Sequence, residues 1–373
     1  MLTELDENQQ LSQNIIQMLE EIDKDSTYER RKFIKKITDS YEQFEQKKNG
    51  KYTQDWQAYN RAQMREKIFI MNILDELLCY IPFPERNGVG KKPISFRDKI
   101  FYLVLQAYNI KSSRRCIADL EIARRLKFVT RTPHFNTVLK CLKDSSLIPY
   151  LKHLIQVSGM PLQQVESDFA VDSSGFSTSL FGRWFDARTG NESEKRKYVK
   201  IHLTCGVKSN IITAVNITKG NFGDSPQFEG LIKDTDKIYN IREVSADKAY
   251  SSRKNLQLVS DLGGIPFIPF KRNIKATSRA RRSGIWKKML LLFSSHIDEF
   301  NHHYHKRSNS ETCFHMLKRK FGSHLRSRTE TGQANEILAK CLAHNLCVLV
   351  QEAFEIGIIL DFQKCADIQI AHN

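Results

Sequence analysis

The spacing of apolar residues divides the chain into a helical first part and a mixed second part. Residues 5–80 are rich in Glu, Gln, Lys and Leu and contain one glycine, Gly50, which predicts two or three helices. The stretch that follows concentrates proline, glycine and charge, as linkers do. We therefore predict an all-helical N-terminal region over residues 1–81 and a linker over residues 82–94.

A second helical region, residues 95–160, contains two short helices joined by a tight turn. The first is predicted over residues 112–127, with a serine N-cap and an apolar stripe. The second is predicted over residues 132–144, with Thr132 as its N-cap and Pro133 at its first helical position. This pair resembles a DNA-binding helix-turn-helix. A plain helical hairpin fits the pattern equally well, so both interpretations stay open.

Near residue 165 the pattern changes from helical to alternating. The predicted order is a strand, a hairpin of two strands, a helix, a strand, a helix, a strand and a helix, over residues 168–174, 197–207, 210–218, 223–234, 242–247, 251–263, 265–270 and 285–297. Three meandering strands followed by strand–helix alternation predict an α/β fold with a mixed sheet flanked by helices. We place this domain at residues 165–350, with a C-terminal tail at 351–373.

The chain carries a net charge of +16 over 373 residues. Such an excess favours a polyanionic partner, and nucleic acid before a membrane. We see no apolar run of the length of a membrane span and no signal peptide in the polar, acidic first ten residues. The eight cysteines form no CxxC pair, so we expect reduced thiols in a cytoplasmic protein.

Three acidic residues stand where an open α/β sheet gathers its site. Asp172 ends the first predicted strand, Asp247 ends the fourth, and Glu311 lies on the helix after the last strand. Carboxylates without a matching catalytic His or Cys suit hard cations such as Mg²⁺. Two such ions could activate an attacking water and stabilise the leaving oxygen of a phosphodiester.

Glu311 is the one acid in a basic segment, residues 304–322. On a helix Tyr304, Arg307, Glu311 and Lys318 fall within an arc of roughly 60°. The acid would then serve a metal while its neighbours hold phosphates.

Each acid also has an interpretation that involves no metal. Glu311 completes a capping box with Ser308. Asp172 and Asp247 suit local Asx-turns. Other carboxylates compete with these three for a place in the site, namely Asp168, Asp186, Asp224 and Asp236.

The chain at this point resembles a known family. "VDSSGF" around Asp172, "ADKAY" around Asp247 and a Y-x2-R-x3-E-x6-K pattern from Tyr304 to Lys318 look like the DDE transposases of prokaryotic insertion sequences. The last pattern is the signature of one subgroup. "GDSPQFEGL" and "KYVKIHL" are similar to that family's connecting segments, and the resemblance covers residues 95–350.

The resemblance implies a ribonuclease-H-like catalytic domain in which Asp172, Asp247 and Glu311 bind two Mg²⁺ ions, with Mn²⁺ as a substitute. It implies that Tyr304, Arg307 and Lys318 contact DNA near the cleaved strand. The expected reaction is metal-dependent cleavage at the element ends, followed by strand transfer. The expected partners are double-stranded DNA, as terminal repeats and target, and a second copy of the chain, at least on DNA.

A basic arm, residues 271–288, holds eight Lys and Arg residues and no acid. Its place after a strand near the site favours DNA contact over a solvated loop. The predicted DNA-binding residues of the arm are Lys271, Arg272, Arg279, Arg281 and Arg282. Trp184 and Trp286 could stack on an extruded base, but core packing is the expected role of each.

Two other functions remain open from the sequence. One is a catalytically silent, sequence-specific DNA-binding regulator that uses the helical region 95–145. The other is a ribonuclease-H-like nuclease that cuts without strand transfer.

Overall fold

The computed structural model describes residues 55–84, 93–178, 198–220, 222–271, 284–363 and 368. Most of the predicted N-terminal helical region, through residue 54, and most of the predicted linker therefore lie outside the described residues.

In the described residues five α-helices precede the sheet, and the fifth leads into it. They are α1 (Trp56–Cys79), α2 (Phe96–Asn109), α3 (Ser113–Arg125), α4 (Phe135–Leu142) and α5 (Ile148–Ser158). Side chains at the N-caps satisfy free amides of the first turns, which is why α1 begins after Asp55 and α2 after Ser95. This part of the chain is helical, as the sequence predicted.

The predicted pair of short helices exists, but its second member begins later than predicted. Ser112 caps α3 as expected, since its hydroxyl accepts the Arg115 amide. Thr132 does not cap α4. The cap is His134, whose Nδ1 accepts the Asn136 amide at 3.3 Å and whose ring packs on Phe135. The imidazole thus supplies the acceptor that the sequence pattern assigned to a hydroxyl.

The sheet has five strands, β1 (Asp168–Ser177), β2 (Tyr198–Gly206), β3 (Ile212–Lys219), β4 (Glu243–Ala246) and β5 (Ile265–Phe267). Its spatial order is β3-β2-β1-β4-β5. The first three strands are antiparallel neighbours. Strand β4 pairs with β1 in parallel, and β5 pairs with β4 in parallel. The prediction of a mixed sheet is confirmed. One detail was wrong, because β1 continues to Ser177 and Asp172 lies within it, not at its end.

Helices cover the sheet on its faces. They are α6 (Phe228–Asp236), α7 (Arg253–Asp261), α8 (Gly284–Ser295), α9 (Ile297–Tyr304), α10 (Ser308–Phe321) and α11 (Glu330–Glu355). A 3-10 turn, His305–Arg307, connects α9 to α10. Helix α10 packs on β1 and β2 through a buried apolar stripe, Phe314, Leu317 and Phe321. That stripe was predicted from its spacing.

Helix α11 forms the centre of the molecule and contacts α1, α2, α5 and β3. It is long and apolar enough by composition to cross a membrane, yet 89% of its most apolar window is buried inside the protein. Its apolar surface is therefore used in core packing. It extends through residue 350, where the sequence placed a domain boundary.

Asn345 is the polar connection between α11 and the sheet. Its Oδ1 accepts the Ile212 amide at 2.9 Å, and its Nδ2 donates to the Ile212 carbonyl at 2.7 Å and to Ser158 Oγ at 2.9 Å. The side chain is fully buried. It thus satisfies the first residue of β3 and the end of α5 at once.

We predict that Asn345→Leu lowers the free energy of unfolding by about 2–4 kcal/mol, because it leaves buried backbone groups without partners. Urea unfolding of the full chain measures this change. Gln351→Leu is the matched control on the same helix, since Gln351 donates to Glu355 near the helix end. It should change stability by less than about 0.5 kcal/mol. Equal effects of the two substitutions would contradict the role of Asn345.

Candidate active site

Strand register brings two of the predicted acids together. Strand β1 pairs with β4 in parallel as far as Val171 and Ala246, so Asp172 and Asp247 occupy the next positions on neighbouring strands. Adjacent strands lie about 4.8 Å apart, and residues level with each other share a face of the sheet. The two aspartates are therefore neighbours at the middle of the sheet.

The segment from α9 to α10 brings the third acid to the same place. Arg307, in the 3-10 turn, donates from Nη1 to Asp172 Oδ2 at 3.2 Å and from Nη2 to Glu311 Oε1. Ser310 Oγ lies 3.4 Å from the same oxygen of Asp172. One guanidinium thus connects an acid of the sheet to the acid of the helix.

The capping-box interpretation of Glu311 is wrong, whereas both aspartates accept a local backbone amide. Glu311 makes no capping box, because Ser308 lies inside the helical path and the carboxylate pairs with Arg307. Asp172 does accept the Ser173 amide at 2.8 Å, and Asp247 accepts the Lys248 amide at 2.6 Å. In each aspartate Oδ1 accepts the amide of the following residue. The second carboxylate oxygen of Asp172, Oδ2, faces α10.

The electrostatics at Asp172 agree with this grouping. Burial raises the pKa of Asp172, and the charges of Asp247 and Glu311 raise it further. The Ser173 amide and Arg307 act in the opposite direction without cancelling the rise. The ionised carboxylate of Asp172 is therefore disfavoured first by burial and then by the neighbouring acids, even with Arg307 beside it.

The other two residues of the helical signature lie on either side of Arg307. The Tyr304 ring stacks on Phe300, with the Arg307 guanidinium 6.0 Å from its centre. Lys318 donates to Ser174 Oγ at 2.6 Å, two residues beyond Asp172 on the same face of β1. Tyr304 ends α9, Arg307 lies in the 3-10 turn, and Glu311 and Lys318 lie on α10, so these residues form a row over three elements and not on the single helix from which the arc was drawn.

A charged network that the sequence did not indicate holds this row in place. Lys306 donates to Asp168 at 2.8 Å and to Glu243 at 2.7 Å, at the first residues of β1 and β4. Arg242 adds two bonds to Asp168. Burial alone would raise the pKa of Asp168, but these cations outweigh it and lower that pKa. Asp168 is thus committed to an ion-paired anchor beside Arg307.

The other candidate residues from the sequence have different surroundings in the structure. Asp224 pairs with Lys200 at 2.5 Å on β2. Trp286 is buried edge-on against Phe270, which is the expected core role. Lys271 lines an open cleft with Asp247 and Phe293. The other predicted arm residues, Arg272, Arg279, Arg281 and Arg282, lie outside the described residues, as do Asp186 and Trp184.

The donor set fits a hard divalent cation in type and charge. Asp172 and Glu311 already converge on one cation, the Arg307 guanidinium, and Asp247 lies next to Asp172 on the sheet. In the described part of the chain no three His, Cys, Asp or Glu side chains are close enough, as they stand, to hold a metal ion. Arg307 occupies the space through which Glu311 would approach Asp172.

The chain is similar to known transposases. Residues 163–346 match the family described as a transposase DDE domain. A probable transposase for insertion sequence element ISA1214 from Archaeoglobus fulgidus is 23% identical over 325 residues, which cover 84% of this chain and 95% of that protein. A chain of a piggyBac transposase synaptic complex with hairpin DNA overlaps 82% of this chain and 78% of its own length, with 10% identity and a TM-score of 0.36.

The match over residues 163–346, which contain the mixed sheet, defines the class of the protein. Residues 163–346 are a transposase DDE domain, and the chain acts as a DDE transposase, an enzyme on DNA. Both the sheet strands and α10 fall inside the matched stretch.

We predict that Asp172→Asn raises the melting temperature of the metal-free protein at neutral pH by about 2 °C. A raised pKa means that the ionised carboxylate lowers stability above its folded pKa, and this cost disappears as the pH falls through it. The gain of the variant should therefore shrink in acid. Calorimetry from pH 4 to pH 8 measures it.

Asp168→Asn is the matched control, because its pKa is shifted down. That aspartate contributes stability above its ordinary pKa, which is lost as the pH falls through the folded value. The control should melt lower at neutral pH. If Asp172→Asn also melts lower, the excess negative charge at the site is contradicted.

Proposed function

We propose that the protein binds the ends of an insertion sequence and catalyses DNA strand cleavage followed by strand transfer. The observation that carries this proposal is the level placement of Asp172 and Asp247 on parallel strands, under a helix that offers Glu311. Because these acids converge from three elements, they suit the chemistry of a phosphodiester better than a purely structural role. DNA cleaved at the element ends would provide the 3′-hydroxyl for attack on a second phosphodiester.

The domain fold that we propose is ribonuclease-H-like. An antiparallel trio followed by two parallel strands, with the acids on the central pair, supports it. We also propose membership of the subgroup with the tyrosine–arginine–glutamate–lysine signature. The placement of Tyr304, Arg307, Glu311 and Lys318 along one helical segment beside β1 supports that assignment.

Asp172, Asp247 and Glu311 would hold two Mg²⁺ ions, for which Mn²⁺ may be exchanged experimentally. When bound, the ions supply the activation of the attacking oxygen and stabilise the leaving oxygen. The chain itself supplies three oxygen donors and the cation Arg307, which can pass from the acids to a DNA phosphate. Lys318 and Tyr304 flank that phosphate position.

The DNA partner, the cellular location and the dimer that we propose follow from the net charge and the domain organisation of the chain. The net charge of +16 supports double-stranded DNA, as terminal repeats and target, and a cytoplasmic location on the nucleoid. The helices α3 and α4 are the proposed DNA-binding part of residues 95–160, and the arm adds phosphate contacts. Joining two ends requires at least a homodimer on DNA.

We predict that Asp172→Asn, Asp247→Asn and Glu311→Gln each reduce cleavage by at least about 100-fold. Even residues that only support a metal ligand cost about 10–100-fold, and these residues are the ligands. The assay uses labelled duplexes that carry the element ends, with Mg²⁺ or EDTA, and scores nicked and joined products separately.

Asp261→Asn, an exposed aspartate at the end of α7, should cut and join normally. Nicks without joined product would assign the nuclease alternative. Specific end binding that all three variants retain, without any cutting, would assign the regulator. Normal cutting by the three variants would remove the proposed triad.

We predict that Arg307→Gln binds Mn²⁺ about tenfold more tightly than the natural chain when DNA is absent. The guanidinium competes with the ion for Asp172 and Glu311, and its removal frees both carboxylates. Titration calorimetry or the Mn²⁺ resonance signal measures the affinity without any turnover.

Arg319→Gln removes the same charge from an exposed position of α10 and should leave Mn²⁺ affinity unchanged. Equal affinities of the natural chain and Arg307→Gln, with binding lost in Asp172→Asn, would show that Arg307 does not compete. Binding that survives Asp172→Asn would place the ion elsewhere.

A further inference from the structure

A cleft with a volume of about 250 Å³ lies between the start of α3 and the segment that follows α10. We call it the α3–α10 cleft. Ile110 and Leu139 contribute apolar surface to it, and Arg114 and Arg326 contribute positive charge, whereas Lys111 lines it but pairs with Asp119 at 2.9 Å. It is separate from the three acids described above.

The charges that line the cleft are predominantly positive. The Arg114 guanidinium rests 4.6 Å from the Phe135 ring centre, and Arg326 donates to the Ile110 carbonyl at 3.1 Å, so neither cation is neutralised by these contacts. The one acid in the lining, Glu336, accepts the backbone amides of Arg326 and Ser327. It also pairs with the buried Lys340. An anion would therefore be attracted to the cleft.

Polar groups in the walls could bind such an anion. Helix α3 is 13 residues long and directs its N-terminus, with the partial positive charge of its free amides, at the cleft. Ser327 Oγ is a buried atom of the lining that has no hydrogen-bond partner among the described residues. A serine hydroxyl can donate to a phosphate oxygen.

The chain path connects this cleft to the acids. Gly322, with a φ of +81°, ends α10, and the chain then pairs with the end of β1 through Ser177 and residues 323–325. Helix α10 rises about 1.5 Å per residue, so Phe321 at the cleft is roughly 15 Å from Glu311. Lys318 lies between them.

We propose that the α3–α10 cleft binds a phosphodiester of the same DNA duplex whose strand is cut at the acids. This inference rests on the proposed function and extends it by a second phosphate site. A distance of roughly 15 Å corresponds to about 4–5 nucleotides along one strand at 3.4 Å each. The cleft thus fixes the register between the bound end and the cleaved bond.

The test compares the natural chain with Arg114→Gln, Arg326→Gln and the double variant, as full chains. Binding to a duplex that carries the element end is measured in EDTA over a series of salt concentrations. We expect the double variant to bind at least about tenfold more weakly, as for a lost charged hydrogen bond. The slope of log affinity against log salt should fall by about 1, as for one lost phosphate contact.

Ethylation of single phosphates locates the contact. We expect interference with binding at a phosphate about 4–5 nucleotides from the cleaved bond in the natural chain, and none there in the double variant. Lys233→Gln, which removes an exposed charge paired with Glu229 on α6, is the matched control and should keep both the slope and the pattern.

An unchanged slope and an unchanged interference pattern in the double variant would overturn the proposal, as would a slope that falls equally in Lys233→Gln. Because binding is measured in EDTA, the result is independent of cutting. A lost contact in a protein that shows no metal-dependent cleavage would keep the cleft and remove the proposed reaction. Melting temperatures within about 2 °C of the natural chain confirm that the variants are folded.

Discussion

The interaction on which the site depends is the bridge that Arg307 makes between Asp172 and Glu311. Parallel register sets Asp172 level with Asp247, and like charges this close repel each other. A cation between the acids offsets part of that repulsion, but burial, together with the charges of Asp247 and Glu311, keeps the pKa of Asp172 raised. The site is therefore poised to accept more positive charge. This is the condition a divalent ion requires.

Arg307 can form that bridge because ion pairs hold the 3-10 turn that carries it. Lys306 of this turn pairs with Asp168 and Glu243, and these ion pairs fix the position of Arg307 along β1. The apolar stripe of α10 then presses the rest of the helix onto β1 and β2. Ion pairs fix the start of the segment and burial fixes the helix beyond Glu311, while the Glu311 side chain is 60% exposed and pairs with Arg307.

The sequence predicted the parts of this arrangement that depend on local spacing. Alternation located the strands, and both acids of the sheet followed from those elements. The single helix assumed for Tyr304 to Lys318 is divided in the structure into the end of α9, a 3-10 turn and the start of α10. Partners distant in sequence could not be predicted this way. Lys306 meets Asp168 across 138 positions, and a basic segment gives no sign of which lysine is an anchor. The length of β1 was also missed, because the polar residues that continue it beyond Asp172 are held by pairing with β2 and carry no apolar pattern.

Helix α10 also explains how a single element can couple recognition to chemistry. One end presents Glu311 to the sheet, and the other ends at the α3–α10 cleft, with Lys318 between them. The far wall of the cleft comes from residues 111–114, which precede the stretch 163–346 matched by the transposase DDE domain. A duplex held along α10 would therefore touch the helical region and the DDE domain together. Because α10 is held by core packing over most of its length, the spacing between the two phosphate positions is set by the fold and not by a flexible linker.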